Sequence, residues 1–154
     1  MVLRLTGRLA RRRGPVGDRC PIDRTLQIVG SRSAFLLLRE ALYGTTRFDD
    51  LVRLTGFTEA VAAKRLKELV DHGLLERRPY QEPGQRTRHE YVLTDRGHDL
   101  MPALLALAQW GRTHSPRKDG GPTPLHDGCD AEVRVVMQCA AGHPVVEDEL
   151  VLTS

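Results

Sequence analysis

Apolar positions along the chain keep one of two periods, and the change of period marks where helices should give way to strands. Ile22, Leu26 and Val29 recur at helical spacing behind Cys20 and Pro21 and stop at Gly30, which predicts a first helix with proline in its opening turn. Ala34 to Leu42 is apolar nearly all round apart from Arg39 and Glu40, so a second helix should lie at the centre of the core and end at Gly44. A short third helix, capped by Asp49, carries Leu51, Val52 and Leu54 and closes at Gly56. Thr58 then caps a fourth helix that runs to about His72, with Gly73 just past its end. In that helix Ala62, Leu66 and Leu69 form a buried stripe, while Ala63, Lys64 and Lys67 point the opposite way.

The period then shortens. Leu74 to Tyr80 reads as a strand and His89 to Leu93 as its returning partner, joined by a turn over Gln81–Arg88 that contains Pro83 and Gly84. Thr94 or Asp95 caps a fifth helix to about Arg112, which Pro102 should kink or restart. Its apolar residues, including Leu100, Leu104, Leu107 and Trp110, cover more than one face, so the helix needs a second partner. That partner is either the same helix of another subunit or the chain's own core. After a Pro- and Gly-rich stretch, Val133, Val135 and Met137 alternate as in a strand.

These elements give an α+β, mainly helical chain: a winged helix-turn-helix with a C-terminal dimerisation helix and a small β-rich tail. Four segments follow: a disordered Arg-rich lead over 1–19, the winged and dimerisation domain over 20–113, a linker over 114–128 and the tail over 129–154. Charge sharpens the picture. The lead carries six Arg against one Asp, whereas residues 120–154 carry one Arg against six acids, so the basic end can reach a polyanion and the acidic end cannot. Arg4, Arg8 and Arg11 to Arg13 interrupt any export signal, and no apolar run reaches membrane-spanning length, so a cytoplasmic protein is expected.

Double-stranded DNA is the partner that this order of elements fits. Gly56 permits the tight turn between crossed helices, and the fourth helix can then enter a major groove, with Thr58 at its mouth. Ala60 and Ala63 allow close approach to base edges; Lys64 and Lys67 can read guanine or hold phosphate. Arg77 and Arg78 at the base of the hairpin and Arg86 and Arg88 at its tip form a cationic wing, set against Glu76 and Glu82. The alternative is a winged helix that docks proteins and binds no DNA. No Gly-rich phosphate loop, Ser/His/Asp set or carboxylate pair stands out, so no enzyme is expected.

Several stretches carry a family resemblance: Cys20-Pro21, Gly30-Ser-Arg-Ser-Ala-Phe-Leu-Leu-Leu-Arg-Glu-Ala-Leu42, Arg47-Phe48-Asp-Asp-Leu51, Arg65-Leu66-Lys-Glu-Leu69, Gly73-Leu-Leu-Glu-Arg77 and Tyr91-Val-Leu-Thr-Asp-Arg-Gly97. In this order they resemble the HxlR-type regulators, a winged-helix family related to the MarR group. The resemblance implies a homodimeric regulator, commonly a repressor, on an inverted-repeat operator, with a small-molecule or redox effector. The family commonly has Trp where this chain has Ser33.

Three cysteines in a chain without an export signal argue against a disulfide framework. Cys20 sits at the mouth of the first helix, where backbone N–H groups and the neighbouring Arg19 and Arg24 favour a thiolate. It is the redox candidate, since oxidant-sensing relatives use a cysteine at a matching place; the other reading is an inert thiol. No cofactor is required. His126, Cys129, Cys139 and His143 could complete a tetrahedral structural zinc site, or stand as incidental residues of an acidic tail. The tail resembles the zinc-ribbon ends of some relatives, except that Gly142 stands where a second cysteine would.

Overall fold

A computed structural model describes residues 3–11, 20–115 and 121–153. They divide into two compact units, Asp18–Leu104 and a second made of Met1–Gly17 with Leu105–Ser154. The larger unit holds helices α1 (Pro21–Val29), α2 (Arg32–Leu42), α3 (Phe48–Thr55), α4 (Glu59–Asp71) and α5 (Asp95–His98), with strands β2 (Leu75–Tyr80) and β3 (Arg88–Leu93). The first strand, β1 (Arg4–Leu5), belongs to the smaller unit.

Local chemistry sets most boundaries in the larger unit. Ser31 caps α2 by accepting from Ala34 N at 3.1 Å, and Thr58 caps α4 by accepting from Val61 N at 3.4 Å. Gly56 ends α3 in the left-handed region, with φ of 68°, a conformation that a side chain would oppose and that turns the chain into α4. Asp49, expected as the cap of α3, lies inside its first turn; Arg47 occupies the cap position and makes no side-chain cap bond.

The core is aliphatic. Val29, Ala34, Leu37, Leu38, Ala41, Leu51, Leu66, Leu69, Leu74 and Leu75 form one buried cluster, with Phe48, Phe57, Tyr91, Leu93, Leu100 and Leu104 packed against it. Each fully buried leucine contributes about 1.5–3 kcal/mol through apolar area removed from water. Glu40 is buried within α2, where it accepts from Arg39 Nε at 2.9 Å, so its charge is paired. The antiparallel hairpin is registered Leu75 to Leu93 and Tyr80 to Arg88, which anchors its base in the core and leaves Glu76 to Pro79 exposed.

Thr94 joins the hairpin to α5. Its hydroxyl donates to Gly73 O at 2.7 Å and accepts from Gly97 N at 3.1 Å. Gly97 has no room for a side chain, because a Cβ there would stand 2.3 Å from Leu74 O. Pro102 restarts rather than kinks the helical path: α5 ends at His98 and α6 (Met101–His114) begins one residue before the proline. The larger unit itself closes at Leu104, earlier than the boundary at 113 that the sequence suggests.

In the smaller unit, Arg4–Leu5 pairs in parallel with β4 (Val151–Leu152), and a turn of 3-10 helix spans Gly7–Arg11. Part of the lead expected to be disordered is therefore ordered, because the tail gives its backbone a partner; residues 12–19 lie outside the described residues. The strand expected over Val133–Met137 does not form. Alternation alone supplies no ladder, and the backbone of Val135 is bonded instead by the Gln109 side chain, with Oε1 2.9 Å from Val135 N. Short turns replace it, closed by the isolated pairings Leu125 to Glu132 and Gln138 to Pro144. The first of these takes in residues assigned to the linker.

Candidate nucleic-acid interface

Three helices and a hairpin in this sequence order make a winged helix-turn-helix, and α4 occupies the recognition position. Ala62, Leu66 and Leu69 of α4 are fully buried against the core, so its opposite face must look outward. On that face Thr58, Ala60, Ala63, Lys64 and Lys67 are all exposed. Small side chains beside a long cation are the combination that lets a helix backbone sink towards base edges while an ammonium group reaches them.

The two lysines differ. Lys67 Nζ lies 2.5 Å from Asp71 Oδ2, and this hydrogen bond, with the attraction of the same carboxylate, raises the ammonium pKa. Lys64 forms no ion pair among the described residues, so its charge is the one available to a ligand without prior exchange. Arg65, one residue further round, is half-buried and paired with Glu68 on the same helix.

The wing shows the same division. Arg78 pairs with Glu76 at 2.7 Å, which raises the guanidinium pKa and lowers that of the Glu76 carboxyl. Arg77 Nη2 lies 3.0 Å from His89 Nδ1 across the hairpin, and Arg88 reaches Asp49 of α3 at 3.4 Å. Arg86, in the turn, forms no ion pair among the described residues and is exposed. Between α3 and the wing, Phe48, Asp49, Arg77, Tyr80, Arg88, His89 and Tyr91 line an open cleft of about 330 Å³.

One residue near this face escaped the sequence reading. Arg47 pairs with Glu82 at 2.7 Å, which raises its pKa, and its guanidinium lies 4.8 Å from the centre of the Tyr80 ring. It stands in a stretch that carries the family resemblance, but its partner lies far along the chain, and no local pattern connects them.

Of the four residues assigned to dimerisation, the structure separates two from two. Leu100 and Leu104 are half-buried against the larger unit's own core, whereas Leu107 and Trp110 are 54% and 65% exposed. On α1, Ile22 and Leu26, which share helical spacing with Val29, are also exposed, at 70% and 52%. Only Val29 of the three is buried.

Cys20 holds the N-cap position of α1 as a half-buried free thiol and makes no side-chain cap bond; Arg19 lies outside the described residues. In the tail, His126 Nδ1 is 3.1 Å from Cys129 Sγ and Cys139 Sγ is 3.6 Å from His143 Nδ1. Each pair closes its own turn, and among the described residues no three metal-ligating side chains gather in one place. The four donors that could complete a tetrahedral shell thus stand in two separate pairs, one in each turn. Backbone N–H groups of His143 and Ala141 donate to Cys139 and lower its thiol pKa.

A family model described as HxlR-like helix-turn-helix matches residues 28–119. An uncharacterized HTH-type transcriptional regulator of Mycobacterium tuberculosis is 42% identical over 109 residues, covering 70% of this chain and 68% of its own. YdeP of Bacillus subtilis, another uncharacterized HTH-type regulator, is 31% identical over 101 residues, covering 65% and 77%. Among solved structures, PA1607, a candidate transcription factor, superposes with a TM-score of 0.74 at 30% identity over 84% of this chain and 90% of that one. The redox regulator HypR in its reduced form gives 0.57 at 26% identity, over 63% and 95%.

Proposed function

Because the chain belongs to the HxlR-like helix-turn-helix family of transcriptional regulators, we propose that it represses transcription as a homodimer bound to an inverted-repeat operator. The observation that carries this reading is the exposed Ala60, Ala63 and Lys64 face of α4, opposite a stripe that is wholly buried. Such a helix is fixed in orientation by its core side and complementary to a major groove on the other. The wing adds Arg77, Arg86 and Arg88 for phosphate, a contribution to affinity more than to sequence choice. Two-fold symmetry would set the paired recognition helices about 34 Å apart, one turn of duplex.

Leu107 and Trp110, exposed on α6, support the homodimer, since large apolar side chains at such exposure gain from a covering surface. Cys20 is the redox-effector residue of this reading, supported by its place at a helix N-terminus and by the redox regulator among the structural neighbours.

Fluorescence anisotropy with a duplex of the chain's own promoter tests the proposal. Binding should fall steeply as salt rises, and an unlabelled promoter duplex should compete far better than a scrambled one. Binding that is indifferent to salt, or absent at low ionic strength, refutes it and leaves a protein-docking winged helix.

A further inference from the structure

We propose that Arg47 is a positioning residue for the wing: it ties the far half of the hairpin to the helical body and takes up Glu82, an acid that would otherwise face the phosphate backbone. The inference rests on the DNA-binding reading above for its consequence, though not for its geometry.

A two-stranded hairpin is marginal by itself, and here the core holds its near half, through Leu75, Tyr91 and Leu93, while Arg88 joins the far half to α3 by an exposed pair with Asp49 at 3.4 Å. Residues 76–79 are exposed and bury nothing that could hold the distal half. The segment before α3 supplies what is missing. Thr46 O accepts from Tyr91 N at 2.7 Å, Thr46 Oγ1 donates to Glu90 Oε2 at 3.2 Å, and Arg47 pairs with Glu90 as an isolated antiparallel bridge. Thr46 and Arg47 thus lie alongside β3 in an isolated antiparallel bridge. From there the Arg47 side chain reaches Tyr80, the last residue of β2, and Glu82, at the entry to the turn that bears Arg86.

The Arg47–Glu82 pair engages none of the wing's own cations. Arg88 held by Asp49 and Arg78 held by Glu76 must exchange partners before they can meet phosphate, whereas the Arg47–Glu82 pair can persist in the complex. Arginine suits the position, because a planar guanidinium stacks on a ring and pairs with a carboxylate at once, which an ammonium does less well. An exposed pair of this kind contributes little to folding, so its loss should alter wing orientation without unfolding the chain.

The test uses the full chain with Arg47→Gln, Glu82→Gln, the double variant, Arg47→Lys and the charge-swapped pair Arg47→Glu with Glu82→Arg. Melting temperatures should stay close to the parent. Arg47→Gln should weaken promoter binding about tenfold and flatten its salt dependence by about one phosphate contact, with the swap recovering most of the loss and Arg47→Lys part of it. In the double-mutant cycle the two glutamine changes should couple. Additive effects with no recovery in the swap would mean that Arg47 itself touches DNA, and would overturn the proposal. Backbone amide NMR order parameters of residues 81–87, measured without DNA, should fall in Arg47→Gln and leave α2 and α4 unchanged. Unchanged order there overturns the clamp even if the parent binds no DNA, an outcome that would separately refute the DNA-binding reading.

Discussion

At the scale of single residues, partners rather than residue types decide what each cation can do. Lys64 and Lys67 share a face of α4, yet Lys67 is engaged by Asp71 and Lys64 by no ion-pair partner among the described residues. Lys64→Ala should therefore cost about 1–2 kcal/mol of promoter affinity, and Lys67→Ala clearly less, as read by anisotropy titration. Equal losses would show that the Asp71 pair opens freely. Asp49→Asn should strengthen binding, because it releases Arg88 and removes a negative charge beside the wing; weaker binding in the same titration would contradict that. Gly97 is a packing requirement: Gly97→Ala should lower stability by about 1–3 kcal/mol, visible as a fall in melting temperature, since the added carbon meets the Leu74 carbonyl. Lysines and arginines were legible as candidates from their spacing. None of their pairings was read from the sequence: Lys67 and Asp71 stand one helical turn apart, whereas Arg47 and Glu82 are distant along the chain.

At the scale of elements, the helices and the hairpin follow from period and caps; apart from the cap of α3, where Arg47 stands in place of Asp49, the errors fall where a pattern needed a distant partner. Ile22 and Leu26 share helical spacing with Val29, but periodicity states that a face is apolar without stating what covers it. Val133, Val135 and Met137 alternate, yet among the described residues no strand lies beside them to complete a ladder. The tail turns instead hold histidine and cysteine in twos. Two donors fall short of a structural zinc shell, so metal analysis of protein purified without chelator should find well below one zinc per chain; a value near one would show that the tail rearranges around the ion. Cys139, whose thiol pKa is lowered by amide donors and which is exposed, should alkylate faster near neutral pH than an unperturbed cysteine in a peptide of the same sequence, as mass spectrometry would record. The advantage should vanish as pH rises above the ordinary thiol range, where both are thiolates.

At the scale of the whole molecule, the apolar surface of α6 is divided between the chain's own core and a face left uncovered. Leu104 packs inward and Leu107 and Trp110 do not, so two similar substitutions should fail differently. Leu107→Glu should give a folded monomer with weakened operator binding, while Leu104→Glu should chiefly lower the melting temperature. Light scattering after size exclusion, set beside thermal melts, distinguishes these outcomes; a Leu107→Glu protein that keeps the parent mass and affinity removes this face from any dimer. Among the described residues no helix is long and apolar enough to cross a membrane.

Spacing, caps and turn chemistry are local, acting over a few residues, and for that reason the chain by itself determined the helix order, the hairpin, the aliphatic core and the cationic face of α4. Which cations are already engaged, which apolar residues are left uncovered, how the wing is held and whether four zinc-type donors meet were decided only by tertiary structure. Each depends on which distant segments the fold places side by side, and a one-dimensional pattern does not carry that information.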